Sequence, residues 1–384
     1  METHWRVRHV QVLLPPPLNA IATLVMILIF PGFLFLLGYA FYMEWVDRKF
    51  YADQQHRIGP THTGWRGILQ PFADFVKLMA KEDVTPAAAD KVAFTLTPIL
   101  ALAIPLTVLM LVPVANLTGI VFFEGDLLVI GFFSTMFTLM LFMAGWASSN
   151  RFGYTGAVRG IIQVLAFEIP LLLALFVGGM VAGSLSLTGV VWYQANLGLP
   201  LILNPAFFAL FIIFLFAAQA EAERIPFDAP IAETEIVGGW ETEFSGKKLA
   251  FFRLSNDFEV LLGAALGTAI FLAGPLGPEI VFVFISNPWA HVTITSGEYL
   301  AWITLNMPFL LNPAIAAIYY TFWFIVKTTF IVLLLSNIKA LFARYRIDQI
   351  AHISWTWVIP ISLLLVGVVI AWPWIMNWFL IFIP

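Results

Sequence analysis

Residues 127–147 read LLVIGFFSTMFTLMLFMAGWA, without one charged side chain. As an α-helix this run extends about 31 Å at a rise of 1.5 Å per residue, matching the hydrocarbon core of a bilayer. Similar runs recur along the chain and predict eight spans. These are roughly Leu18–Met43, Val92–Ala115, Leu127–Ala147, Ala157–Ala182, Pro205–Ala222, Phe258–Ile285, Asn312–Asn337 and Ser354–Phe382. With 61% hydrophobic and 11% charged residues in 384, so much apolar surface cannot be hidden in one water-soluble core. The fold class that follows is an all-α integral membrane protein, one multi-span unit over residues 1–384. No internal repeat supports an inverted-repeat transporter.

Except for Arg6, Arg8 and Lys327, all 19 Lys and Arg residues fall in alternate connections. The first holds Arg48, Lys49, Arg57, Arg66, Lys77, Lys81 and Lys91, and the third Arg151 and Arg159. The fifth holds Arg224, Lys247, Lys248 and Arg253, and the seventh Lys339, Arg344 and Arg346. The positive-inside bias makes these the cytoplasmic connections, with both termini on the other side. The first apolar run is longer than the core of a signal peptide, so it is read as a retained span.

The composition excludes several functions. A net charge of −4 without a basic tail argues against nucleic acid. The absence of cysteine removes thiol chemistry and cysteine-ligated zinc or iron–sulfur clusters from this chain. The six histidines, His4, His9, His56, His62, His291 and His352, fall in connections or at span edges. That placement disfavours a transmembrane haem, and no metal-ligand spacing stands out. No phosphate loop or dinucleotide fingerprint is present, so any redox role is shared with partner chains.

Charge is concentrated instead. Within the connection 221–257, the stretch from Glu221 to Phe244 holds seven of the chain's 23 carboxylates, Glu221, Glu223, Asp228, Glu233, Glu235, Glu241 and Glu243, with Arg224 the one base among them. Closely spaced acids have pKa values pushed apart, as proton storage requires. Pro226, Phe227, Ile231, Ile236, Val237 and Trp240 make the stretch too apolar for a floating loop. Glu168, inside the fourth span before Pro170, reads as a proton relay or as a structural acid bound to a neighbouring helix. Lys327 in the seventh span reads as a relay or as a paired lysine. Asp257 and Glu259 extend the acidic series, with a helix N-cap as the alternative for Asp257. In the first cytoplasmic connection, 44–91, Trp65, Ile68, Leu69, Phe72, Phe75, Val76 and Met79 recur every three or four residues. That spacing predicts an amphipathic helix bent at Pro71, lying in the interface or packed on its neighbours.

These stretches resemble one family along nearly the whole chain, the quinone-site membrane subunits (H subunits) of respiratory complex I. Asp47-Arg48-Lys49, Gln55, Arg57, Gly59-Pro60, Leu69-Gln70-Pro71, Asp74, Lys77-Leu78 and Lys81-Glu82-Asp83 resemble the first connection of that family. Gly145-Trp146, Ser148-Ser149-Asn150, Arg159, Gln163 and Phe167-Glu168 are similar to its third connection and fourth span. Ala220-Glu221, Arg224, Pro226-Phe227-Asp228, Glu233, Glu235-Ile236-Val237 and Glu243-Phe244-Ser245-Gly246 match its acidic loop, and Arg344-Tyr345-Arg346 with Asp348-Gln349 its last connection. The family usually has Glu at Asp47, often Glu at Ile231 and near Asn256, Arg at Lys339, Pro at Ala343 and Lys at Thr356.

The resemblance implies a multi-pass subunit of the cell (inner) membrane in a proton-pumping NADH–quinone oxidoreductase. Its substrate is quinone; NADH, FMN and iron–sulfur clusters reside in partner subunits, and no cofactor is bound by this chain alone. By the same resemblance, Asp47, Arg48, Arg57, Trp65, Phe72, Arg159, Arg224 and Phe227 line the quinone portal and chamber. Glu168, Glu221, Asp228, Glu233, Glu235, Glu243, Asp257, Glu259 and Lys327 form the proton path. The expected partners are the other membrane-arm and hydrophilic-arm subunits and membrane lipid. The homologous chain of a cyanobacterial or chloroplast-type, deazaflavin- or hydrogen-linked complex would look alike, and a stand-alone proton-coupled carrier is the reading from another class.

Overall fold

The computed structural model describes residues 23–278 and 306–382, and among them there is no strand. Residues 18–22 and 279–285 of the predicted spans lie outside the described residues, as do Arg6, Arg8 and His291. The helices are α1 Phe33–Gln54, α2 Gln70–Ala80, α3 Lys91–Leu109, α4 Asp126–Ala147, α5 Arg151–Ala182, α6 Leu187–Leu197, α7 Pro205–Glu221, α8 Gly246–Phe271 and α9 Pro313–Leu341. Then α10 Ile347–Ile353 passes through a π-type turn, Ser354–Val358, into α11 Ile359–Phe382. Among the described residues, seven helical segments are long and apolar enough to cross a bilayer, and α7, with 17 residues, is a shorter apolar helix. The expected all-α membrane architecture is therefore present.

Three predicted boundaries move outward, those of the first and sixth spans for one reason. The sixth span, expected from Phe258, begins at Gly246; the fourth, expected from Ala157, begins at Arg151; and the first, expected to end at Met43, runs to Gln54. Hydropathy stops a span at its first charges, but the backbone continues where those charges find protein partners. Asp257 is accordingly in the interior of α8 and is not its N-cap. Helix starts carry the caps their sequences advertise. The Asp90, Asn150, Asn204 and Asn312 side chains accept from the first free N–H groups of α3, α5, α7 and α9.

In the first connection the predicted bend is a helix start. Pro71 stands in the first turn of α2, where its missing N–H is no loss, after a separate 3-10 turn at Trp65–Gly67. Within α5, Pro170 cannot donate to the Ala166 carbonyl four residues earlier. The Ser354 hydroxyl supplies that bond at 2.5 Å, which ties the π-type turn to α5 two residues from Glu168. Helix α6 has no counterpart among the predicted spans. It is seated by Asp126 at the start of α4, whose carboxylate accepts from Ser186 Oγ at 3.0 Å and Leu187 N–H at 2.5 Å.

Helices α5 and α8 form the centre. α5 packs against α4, α7 and α11, and α8 against α1, α3, α7 and α9. Buried Phe207, Phe214, Phe258, Phe271 and Phe324 fill much of the space between them.

Candidate functional site

The acidic connection is folded down onto α5 because α5 is bare there. A Cβ at Gly156 would lie 2.7 Å from Gly239 Cα and 2.7 Å from the Pro230 carbonyl oxygen. Gly239 itself has φ +56 and no room for a side chain beside Pro230. Gln163 then clamps the connection, donating to the Ala220 carbonyl at 2.8 Å and the Phe227 carbonyl at 2.6 Å. Phe227 is buried between Phe167 and Tyr345, with ring centroids 4.7 and 6.3 Å away.

Folding brings bases from distant segments to the outer acids. Arg344 grips Asp228 with both Nε, at 2.6 Å, and Nη2, and Arg159 reaches Glu235 at 2.5 Å. Asn150 donates to Glu243 at 2.5 Å, while Glu233 is exposed. The hydrogen bond to Asp228 raises the Arg344 pKa. The shortage of bases that the sequence implies is made good by residues 76 and 116 positions away along the chain.

Arg224 turns inward instead, into a network of buried ions. Its guanidinium is 3.0 Å from Asp47 Oδ2, 3.3 Å from Glu44 Oε2 and 4.0 Å from Asp257 Oδ1. Burial opposes its charge, and Asp47, Glu44 and Asp257 overcome that, leaving its pKa raised. Asp47, 2% exposed, also meets Lys339 Nζ at 3.3 Å and accepts from Ser336 Oγ at 2.5 Å. Glu44 holds Arg48 at 2.5 Å, and Arg48 holds Asp74 of α2 at 2.6 Å. Charged groups from α1, the acidic connection, α8 and α9 thus meet with opposite signs interleaved, the arrangement burial of ions requires.

A second row lacks cations. Glu168 on α5 accepts a short hydrogen bond from Thr135 Oγ1, and Glu221 at the end of α7 one from Ser134 Oγ, both donors on α4. Glu221 lies within electrostatic reach of Glu168 on one side, and Glu259 of α8 within reach of Glu221 on the other. Glu259 is buried and its Oε1 has no hydrogen-bond partner among the described residues. None of the three forms a salt bridge among the described residues.

A cavity of about 250 Å³ opens between α1, α2 and α8. Phe41, Pro71, Phe75 and Leu78 make its apolar side, and Arg48, Asp74, Lys77, Arg253 and Asp257 its polar side. Phe41 meets Phe72 and Phe75 with centroids 5.8 Å apart, while Trp65 and Phe72 remain exposed along the α2 flank. Asp257 therefore links the cavity to the Arg224 network, and Glu259, two residues further along α8, faces the cation-free row.

Two predicted residues lie apart from this centre. Arg57 is exposed, stacked over the Tyr51 ring at 5.9 Å. Lys327 donates to the Leu272 carbonyl at 2.6 Å, the Gly274 carbonyl at 3.1 Å and that of Leu276, covering free carbonyls at the C-terminal end of α8. Leu272 follows Glu259 by thirteen positions, about 20 Å of helix. Two features essential to the geometry are not among the residues the sequence singles out. Glu44 is legible as the i, i+4 partner of Arg48, whereas Ser134 and Thr135 are ordinary in an apolar span. Among the described residues no cluster of His, Asp and Glu is arranged to hold a metal.

Comparison with known proteins fits this architecture. A family model described as NADH dehydrogenase matches residues 24–370. An H subunit of the NADH-quinone oxidoreductase of Solibacter usitatus, the second of that name, is 32% identical over 371 residues, 89% of this chain and 93% of the relative. The corresponding H subunit of Dehalococcoides mccartyi is 34% identical over 319 residues, 83% and 78% of the two chains. That of Rhizobium rhizogenes is 32% identical over 343 residues, 87% and 90%. The chain belongs to the NADH dehydrogenase family, among the membrane-embedded H subunits of NADH-quinone oxidoreductase, a multi-subunit enzyme.

Proposed function

We propose that this subunit provides the portal and one wall of the chamber for a quinone, and that its buried acids begin the coupling of quinone reduction to proton movement. The observation that carries this reading is the position of Asp257, which lines the α1–α2–α8 cavity and lies 4.0 Å from Arg224. An isoprenoid substrate comes from the lipid, and the exposed aromatic flank of α2, with Trp65 and Phe72, offers it an apolar approach. Its head group then meets Arg48, Asp74 and Asp257, polar groups that orient a carbonyl-bearing ring. Reduction of a quinone consumes two electrons and two protons, the electrons arriving from redox groups in partner subunits. A negative charge forming beside Asp257 perturbs the interleaved ions around Arg224, and through α8 the row Glu259, Glu221 and Glu168. A carboxylic acid without a cation is the kind of group that exchanges protons under such a field.

The positive-inside bias of the basic connections supports a cytoplasmic position for the acidic connection. There the exposed Glu233 and the Arg344 and Arg159 ion pairs form a charged face for the hydrophilic-arm subunits. The Asp257→Asn variant tests the reading in the assembled complex. Quinone reduction is expected to fall at least about a hundredfold, the lower range for removing a proton-transfer group, with electron input from NADH intact. Unchanged quinone reduction would remove Asp257, and with it the cavity, from the path.

A further inference from the structure

Helix α2 has 11 residues, no side-chain cap at its start, and Phe72, Val76 and Lys77 exposed along one flank. A helix that short is marginal by itself, so its tethers decide where it stands. Its front half is tied to α1, by Asp74 to Arg48 at 2.6 Å and by Phe72 and Phe75 against Phe41. Its back half brings Lys77 and Leu78 to the cavity, whose α8 side is lined by Ala250, Arg253, Leu254 and Asp257.

Beyond α2 the chain runs as an irregular strap, residues 81–86, laid over the first turn of α8. Three contacts fix it there. The Val84 N–H donates to Ser245 Oγ at 3.1 Å, and that hydroxyl lies 3.5 Å from the Val84 carbonyl oxygen. Gly246, at φ +57, lets the strap lie close, since a Cβ there would stand 2.7 Å from the Glu82 carbonyl oxygen and 3.0 Å from that of Lys81. Lys248 Nζ donates to Thr85 Oγ1 at 2.7 Å, pairs with Asp83 at 3.2 Å and sits 4.8 Å from the centroid of the Phe94 ring. Phe94 is stacked on Phe244 with centroids 4.1 Å apart, so the ammonium rests on a fixed aromatic floor.

The strap takes precedence over an ordinary helix cap. Ser245 holds the N-cap position of α8, where a serine hydroxyl usually accepts from the first free N–H groups, yet it makes no such bond. Its hydroxyl serves Val84 instead. Lys248 is 7% exposed, a placement that is unfavourable for an ammonium unless its partners compensate. We infer that Lys248 is a positioning residue that sets the width of the quinone cavity. By drawing Asp83 and Thr85 onto the start of α8, it holds the Lys77–Leu78 end of α2 opposite Ala250 and Leu254. Without it, α2 swings on its remaining tethers to α1, and the cavity fits a head group only part of the time. The effect on quinone rests on reading that cavity as the substrate's, whereas the hold on α2 does not.

The test uses the intact complex in liposomes, comparing wild type with Lys248→Met, which keeps an apolar stem over Phe94 and removes the ammonium. Hydrogen exchange at the backbone amides of residues 70–85 should quicken in the variant, because that segment opens more easily. With decylubiquinone as acceptor, KM should rise at least about fivefold, the inverse of the fraction of time the cavity keeps its shape. The kcat should stay at the wild-type value, the mark of lost binding and not of lost chemistry. An assembled Lys248→Met complex with wild-type exchange over residues 70–85 overturns the inference and leaves the quinone reading intact. Faster exchange with an unmoved KM separates this cavity from quinone and sinks both. A lower kcat at constant KM also overturns it. If Lys248→Met does not assemble, Ser245→Ala combined with Thr85→Val removes the two hydroxyl contacts and spares the buried ion pair. A smaller rise in KM is then expected, and its absence overturns the inference.

Discussion

The Arg224 network and the Glu259–Glu221–Glu168 row are built from adjoining helices, share α8, and treat charge in opposite ways. Around Arg224, Asp47, Glu44 and Asp257 face Arg224, Arg48 and Lys339, so each acid meets a base within 4.0 Å. In the row, the acids meet hydroxyls or, for Glu259 Oε1, no hydrogen-bond partner among the described residues. The difference separates two tasks a buried carboxyl can perform. An acid locked between cations is a fixed charge that holds segments together, and removing its partner strands it. An acid bonded only to Ser134 or Thr135 keeps both protonation states within reach, because a hydroxyl can donate to a carboxylate or accept from a carboxylic acid.

Breaking the matched side should do the most damage. Arg224→Ala leaves Asp47, Glu44 and Asp257 crowded with too few cations, at a cost of about 3–5 kcal/mol for a disrupted buried pair. The expected outcome is loss of assembled complex, measured as its yield after detergent extraction. Asp47→Asn removes one acid but keeps an acceptor for Ser336 and Lys339. Its loss of stability should be smaller, about 2–3 kcal/mol, read as a lower midpoint of thermal unfolding of the complex. Arg344→Ala touches a pair that water reaches, with the Arg344 side chain 32% exposed. The expected cost is about 1 kcal/mol or less, declining further in high salt. On the unmatched side, Glu168→Gln keeps the hydrogen bond from Thr135 and removes only the ability to ionise. Assembly and unfolding midpoint should match wild type within the range of a neutral substitution. A severe assembly defect in Glu168→Gln would erase the distinction between the two regions.

Much of this is legible in the sequence. The apolar runs mark the spans in order, and the amphipathic spacing of Trp65 to Met79 locates the helix beside the cavity. The acid cluster marks the connection folded onto α5. What stays hidden is the partnering. Asp47 and Arg224 are separated by 177 positions and Asp47 and Lys339 by 292, and no local pattern joins them. Hydropathy also ends the spans at their first charges, concealing that Asp257 lies within α8 and that Glu44 lies within α1. Ser134 and Thr135 carry no mark in an apolar run, because a hydroxyl in a helix is equally at home bonding its own backbone. Trp240 reads as an apolar anchor of the acidic connection; its indole N–H bond to Glu223 emerges only from the fold.

The cation-free row is proposed to change protonation as quinone is reduced. Its most direct measurement is the number of protons translocated per quinone reduced in liposomes holding the Glu221→Gln complex, since Glu221 connects Glu168 with Glu259. Gln preserves the acceptor for Ser134, so the complex should assemble while that ratio falls steeply below wild type. A fully assembled Glu221→Gln complex with an undiminished ratio would contradict the account.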